Sequence, residues 1–147
     1  MPPALTPAEV AALYHRATEA AQNSYSPYSH FRVGAALLLE DGTIVAGTNV
    51  ENASYRLTSC AEQAAIAAAV TLHGPAIRIR AVAVVNLNGA ACMPCGACRQ
   101  TILEFATPDT AVFYPSATGE TVATTLAALL PAAFTLSTDN PQPATDT

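Results

Sequence analysis

Ser59-Cys60-Ala61-Glu62-Gln63-Ala64-Ala65-Ile66 opens an alanine-rich segment that continues to His73 and meets Gly74-Pro75. The pattern predicts a helix from Cys60 to about His73. Ser59 can cap its start; glycine takes the left-handed cap at its end and proline blocks continuation. A second stretch, Pro94-Cys95-Gly96-Ala97-Cys98, opens another helical segment, predicted to reach about Phe105. Between the two helices, Ile77, Ile79, Ala81, Ala83 and then Val84-Val85 read as a strand. Both thiol-bearing stretches therefore sit where an α/β fold delivers a helix N-terminus, the end of a sheet at which ligands collect.

Outward from this centre the chain alternates. Thr6-Pro7-Ala8-Glu9 is a capping box with proline at the first helical position, so a helix is expected from Pro7 to about Gln22. A polar and aromatic loop, Asn23 to Ser29, follows. Val33 to Leu39 is a continuous apolar run, and Glu40-Asp41-Gly42-Thr43 turns it into a returning strand, Thr43 to Val50. After the second thiol stretch, Pro108-Asp109 reads as a turn and Ala111 to Tyr114 as a fourth strand. Ser116 to Glu120 is a further turn, with a short strand near Thr121-Val122 and a helix from Thr124 to Leu130 closed by Pro131. The order α-β-β-α-β-α-β-β-α predicts a mixed, five-stranded sheet covered by helices, an α/β or α+β sandwich. No repeat or linker divides it, so residues 1–136 are expected to form one domain. The Ser, Thr, Asp, Asn, Pro and Gln tail, 137–147, is expected to be disordered or draped on the surface.

The chain has 147 residues, 51% hydrophobic and only 12% charged, which is charge-poor for a soluble domain. Apolar surface in excess is hidden most readily in a subunit interface, so a homo-oligomer is expected. The net charge is −5, with no lysine and six arginines. Long polyanions are held by clustered Lys and Arg, so a nucleic-acid strand is excluded as substrate while a free nucleoside or base is not. The N-terminal Met1-Pro2-Pro3 region has neither the basic nor the apolar segment of a signal peptide. Nothing approaches the ~18 apolar residues of a membrane span. A reducing cytoplasm is the expectation, and there a Cys-x-x-Cys does metal or redox work.

Cys60, Cys95 and Cys98 each lie at a helix start, where unpaired N–H groups lower a thiol's pKa. Cys95 and Cys98 are three residues apart and share a face of the first turn. Three thiolates suit zinc and leave its fourth tetrahedral position open for water, the pattern of catalytic rather than structural sites. Such a site carries a formal charge of about −1, so it needs a base beside it and positive character around it. Glu62, two residues beyond Cys60, can be the base; Arg99 and the helix dipoles can offset the charge. Two rival readings stand beside this one. Cys95-Gly96-Ala97-Cys98 has the form of a redox pair, although no aromatic precedes it and Cys60 and Glu62 would then have no role. A structural zinc could recruit Cys92, but Cys92 precedes Pro94, outside the helix, and is read as a packed thiol. His15, His30 and His73 need no metal role.

Cys60-Ala61-Glu62 with Pro94-Cys95-x-x-Cys98 resembles the zinc nucleoside and base deaminases. Ser26-Pro27-Tyr28-Ser29-His30-Phe31-Arg32-Val33-Gly34-Ala35-Ala36-Leu37 is similar to the N-terminal signature of the cytidine deaminase family. So are Gly47-Thr48-Asn49-Val50-Glu51-Asn52-Ala53-Ser54-Tyr55, Cys95-Gly96-Ala97-Cys98-Arg99-Gln100 and the ending Leu129-Leu130-Pro131-Ala132-Ala133-Phe134. The resemblance spans roughly residues 7 to 134 and implies the short, homotetrameric class whose first ligand is Cys. It implies a three-layer sandwich, one Zn²⁺ per subunit on Cys60, Cys95 and Cys98, and Glu62 as the proton shuttle. The implied reaction is hydrolytic deamination of free cytidine and 2′-deoxycytidine in pyrimidine salvage. By the same resemblance Asn49 and Glu51 hold the ribose, Phe31 and Ala61 meet the substrate, and Phe134 from a neighbouring subunit stacks on the pyrimidine. A blasticidin-type aminonucleoside deaminase is the alternative within the family, and a structural zinc or interaction module the alternative outside it. One position departs: members with a cysteine ligand usually carry arginine after the catalytic glutamate, and here it is Gln63. The expected replacement is Arg99 with the helix dipoles, or Arg56 folded inward.

Overall fold

The computed structural model describes residues 4–136, so the tail expected at 137–147 lies outside the described residues. Helix α1 spans Pro7–Gln22, strand β1 Val33–Leu39, β2 Ile44–Thr48, α2 Ala61–His73 and β3 Ile79–Asn86. Then follow α3, Gly96–Leu103, β4, Ala106–Pro115, β5, Thr121–Thr125, and the short α4, Leu126–Leu129; a 3-10 turn, Tyr55–Leu57, precedes α2. The sheet order is β2-β1-β3-β4-β5. Only the β3–β4 pair is parallel, because α3 provides its crossover; the other three pairs are antiparallel. The sequence pattern reads these elements in the right order and pairs β1 with β2 through the Asp41-Gly42 turn.

The capping box forms as expected: Thr6 Oγ1 accepts from the Glu9 amide at 3.1 Å, and Glu9 Oε2 accepts from the Thr6 amide at 2.9 Å. The continuous apolar run of β1 follows from its place between β2 and β3 with helices on both faces. Its Ala36 and Leu38 meet Leu13 and Ala17 of α1, while Ala35, Leu37 and Leu39 meet Ala61, Ala65 and Ile66 of α2 on the other side. The result is a helix–sheet–helix sandwich, with α1 on one face and α2, α3 and α4 on the other.

Two glycines set how closely the helices approach. A Cβ on Gly34 would lie 1.9 Å from the Ala17 carbonyl oxygen, and one on Gly47 would lie 2.4 Å from the Ala65 nitrogen. Ala61, Ala65 and Ala69 recur every fourth residue and are all buried. Small side chains on α2 and none on Gly47 let helix backbone touch strand backbone, which explains the alanine-rich composition of this segment.

Several boundaries differ from the sequence pattern; the helix expected from Thr124 starts at Leu126, because β5 runs on to Thr125 in its pairing with β4. Helix α2 is capped by Cys60 rather than Ser59, because the backbone of Ser59 exchanges both hydrogen bonds with Val50. Helix α3 begins at Gly96 with Cys95 as its cap and ends at Leu103. Pro108-Asp109 is not a free turn but part of β4. The register jumps from Ile79↔Ala106 to Ala81↔Ala111, and the Thr110 hydroxyl, accepting from the Thr107 amide, donates to the Ile79 carbonyl at 2.9 Å. The bulge accommodates a proline that has no ladder proton to give.

Gly47→Ala should lower stability by about 3 kcal/mol in urea denaturation, because the clash is with backbone rather than a movable side chain. Gly96→Ala, whose Cβ meets nothing within 4 Å, should leave stability unchanged or slightly raised.

Candidate active site

The thiols converge as their positions predict. Cys60 caps α2, Cys95 caps α3, and Cys98 lies one turn further in; none of the three bonds its own helix as a side-chain cap. Their sulfur atoms all lie within 4.8 Å of one another. Zinc–sulfur bonds of about 2.3 Å in a tetrahedron place sulfurs about 3.8 Å apart, so the trio fits zinc with little movement. Cys98 is buried, Cys60 half-buried and Cys95 exposed, so the cluster opens outward on one side. All four cysteines are free.

The protein shares out charge among the sulfurs. A hydrogen bond with Cys98 pulls the Cys60 thiol down to about 7, against burial and the nearby Glu62. The same bond pushes Cys98 up, with burial and Glu62 adding to it. That bond favours a proton kept between the two sulfurs, with Cys60 the more acidic of the pair. A dication takes over the role of that proton and can hold all three sulfurs ionised. Cys92 is different. Burial, then Glu62 and Cys60, push it up to about 12, so it stays a neutral thiol; it lies outside the trio but lines the same cavity.

That cavity has a volume of about 190 Å³. The three thiols and Glu62 form its floor, and Phe31, Val33, Asn49 and Met93 contribute its walls. Glu62, the second residue of α2, is only 4% exposed. A carboxylate this buried, lining the same cavity as the thiol cluster, is placed for proton transfer.

Asn49 is 8% exposed and heavily bonded. Its Oδ1 accepts from the Val33 amide at 3.0 Å and from the Ser24 hydroxyl, and its Nδ2 donates to the Phe31 carbonyl at 2.7 Å. Glu51 lies beside this loop but not on the cavity wall. Its Oε1 accepts from the amides of Tyr28 at 3.0 Å and Ser29 at 3.2 Å. The Ser29 hydroxyl, with these amides, holds its carboxyl below the usual range. Phe134 is 68% exposed and does not line the cavity of its own chain.

The charge around the thiols is arranged otherwise than the sequence implies. Arg99 donates from Nε to the Pro94 carbonyl and from Nη1 to the Leu129 carbonyl, both at 2.8 Å, and from Nη2 to Met93 Sδ. Its guanidinium clasps the loop before α3 to the end of α4. Arg56 is exposed on the 3-10 turn, and Gln63 is half-buried. Among the described residues no arginine bonds a thiol, so local positive character there comes from the N-termini of α2 and α3. Val33, Thr58, Ser59 and Met93 line the cavity although the sequence reading gave none of them a place in the site. For Val33 the signal was available, since it heads the strand beneath the site.

Comparison with known proteins adds to this geometry. The model of the cytidine and deoxycytidylate deaminase zinc-binding region matches residues 8–114. The chain belongs to this deaminase family. A cytidine deaminase of Halalkalibacterium halodurans is 44% identical over 124 residues, covering 84% of this chain and 92% of that protein. One of Mycobacterium tuberculosis is 48% identical over 99 residues, covering 67% and 73%. The crystal structure of the Mycobacterium tuberculosis cytidine deaminase superposes with a TM-score of 0.76 at 43% identity, covering 86% of this chain and 98% of that one. That from Burkholderia pseudomallei gives 0.77 at 40% identity, covering 88% and 100%. The deaminase family is defined here by a zinc-binding region, and the thiol trio is the one convergent ligand group among the described residues.

Cys60→Ser and Cys98→Ser should each reduce bound zinc from one per chain to well below half, measured by elemental analysis after dialysis. Cys92→Ser should keep the full complement.

Proposed function

We propose that the chain hydrolyses the exocyclic amino group of free cytidine and 2′-deoxycytidine, yielding uridine, 2′-deoxyuridine and ammonia. The observation that carries this is the sharing of one small cavity by a buried carboxylate, a zinc-fitting thiol trio and an apolar wall. The relatives named cytidine deaminase support the substrate class. The charge balance, −5 with no lysine, supports a free nucleoside over a strand.

Cys60, Cys95 and Cys98 hold the zinc, which when bound makes a water acidic enough to act near neutral pH and stabilises developing negative charge on oxygen. Glu62 does the proton work. It takes one proton from the attacking water and delivers it to N3 of the ring as the water's oxygen adds to C4. The second proton of that water then passes by way of Glu62 to the amino group, which leaves as ammonia. Burial keeps this carboxylate away from bulk water, so the protons it handles are those of substrate and nucleophile. Phe31 and Ala61, which line the cavity, bound the pyrimidine; Asn49 on its wall and Glu51 just outside it meet the ribose hydroxyls. Arg99 holds α3 in place from behind, and Gln63 leaves the thiol cluster without a neighbouring cation.

The assembly belongs to the same proposal. Phe134 is exposed and absent from its own chain's cavity, and Tyr55, Leu57 and Leu136 are exposed with it. We assign these to contacts in a homotetramer in which Phe134 closes a neighbour's site over the base. Four free thiols fit a reducing cytoplasm.

Zinc-loaded protein should consume cytidine in an ultraviolet assay and lose that activity on chelation; no absorbance change in the loaded protein would overturn the proposal. Glu62→Gln should lower kcat by about 10³-fold with zinc retained. Sedimentation should give four times the mass of one chain, and Phe134→Ala should raise KM by about tenfold without dissociating the assembly.

A further inference from the structure

Asn49 has a bonding capacity that can be counted. An amide oxygen accepts two hydrogen bonds and an amide nitrogen donates two. Both places on Oδ1 are filled, by the Val33 amide and the Ser24 hydroxyl, and one proton of Nδ2 goes to the Phe31 carbonyl. One N–H remains on a side chain that lines the cavity. The Val33 donor and the Phe31 acceptor both forbid the flipped amide, so Asn49 can offer a ligand a donor and nothing else.

Two of these three ties come from the backbone at the start of β1. The third comes from another element. Ser24 directly follows the cap of α1, with its amide bonded to the Ala21 carbonyl at 3.2 Å, and its hydroxyl crosses to Asn49. Ser26, also buried, lies 3.1 Å from the same hydroxyl. A hydroxyl has one proton, so Ser24 gives it either to Ser26 or to Asn49, the closer of the two acceptors. The Ser24–Asn49 bond thereby joins the end of α1 to the cavity wall.

We propose that Ser24 is a positioning residue for the sugar of the nucleoside. It holds Asn49 so that its remaining N–H points at one ribose hydroxyl. This rests on the nucleoside substrate proposed above. Ser24 touches no substrate itself, and its effect travels only through the amide it holds. Removing the hydroxyl leaves a buried amide oxygen with one empty place and a side chain anchored on one edge only. The loss should appear in binding of substrates that carry the hydroxyl and vanish for one that lacks it.

The experiment compares steady-state deamination of cytidine and 3′-deoxycytidine by the wild type, Ser24→Ala and Ser24→Thr, each zinc-loaded. The expected result is a rise of about tenfold in KM for cytidine in Ser24→Ala, with kcat within about threefold of wild type. The KM for 3′-deoxycytidine should be unchanged by the substitution, and Ser24→Thr, which keeps the hydroxyl, should restore the cytidine KM. If Ser24→Ala does not fold, Ser24→Cys, of similar shape and a far weaker donor, takes its place. An unshifted cytidine KM overturns the inference, as does an equal loss on both substrates, which would mark a purely structural serine. A wild type that turns over neither substrate sinks the deaminase proposal and the inference with it, an outcome distinct from the other two.

Discussion

The closeness of α2 to β2 governs this molecule. Helix and strand meet backbone to backbone at Gly47, where no side chain could be inserted. Everything at the active site is measured from that contact. Cys60 and Glu62 lie within one turn of it, at the start of the same helix, so their distance from the sheet is fixed by packing rather than by a flexible loop. Dispersion and burial at such a contact are individually weak but numerous, and they tolerate no intrusion. A carboxylate that faces a cavity of about 190 Å³ cannot drift by an ångström without meeting the wrong atoms.

The second helix start is held differently. Helix α3 bridges the parallel strands β3 and β4, and its approach is secured by Arg99, which joins the Pro94 and Leu129 carbonyls. A positive side chain next to a metal-ligating cysteine invites an electrostatic role. Its bonding here is architectural: three nitrogens are committed to two carbonyls and a thioether. The thiolate charge is then left to the two helix ends and to the metal. The neighbouring loop works the same way: its carboxylate, Glu51, is held in its charged form by the Tyr28 and Ser29 amides rather than by a cation.

Much of this was legible in the sequence because the signals are local. The capping box at Thr6, the apolar run of β1, the Asp41-Gly42 turn and the Gly74-Pro75 stop each act within a few residues. The thiol trio was legible because two helix starts and a spacing of three restrict where the sulfurs can go. What escaped depends on partners far along the chain. Ser59 reads as a cap until Val50 claims its backbone. Pro108-Asp109 reads as a turn until Thr110 binds Ile79 across the sheet. Ser24 has no signal at all, being one polar residue in a polar loop, until Asn49 is found above it.

The sulfurs come from two separated parts of the chain, Cys60 after the β1–β2 hairpin and Cys95 with Cys98 in the β3–β4 crossover. A zinc ion held by all three is therefore also a cross-link. It closes the loop containing α2 and β3, much as a disulfide would, and removes the entropy which that loop would otherwise have in the unfolded chain. A reducing compartment forbids the disulfide but permits the metal. Loaded with zinc, the three thiols would thus supply this lysine-free, disulfide-free chain with a reversible staple between its two helix starts.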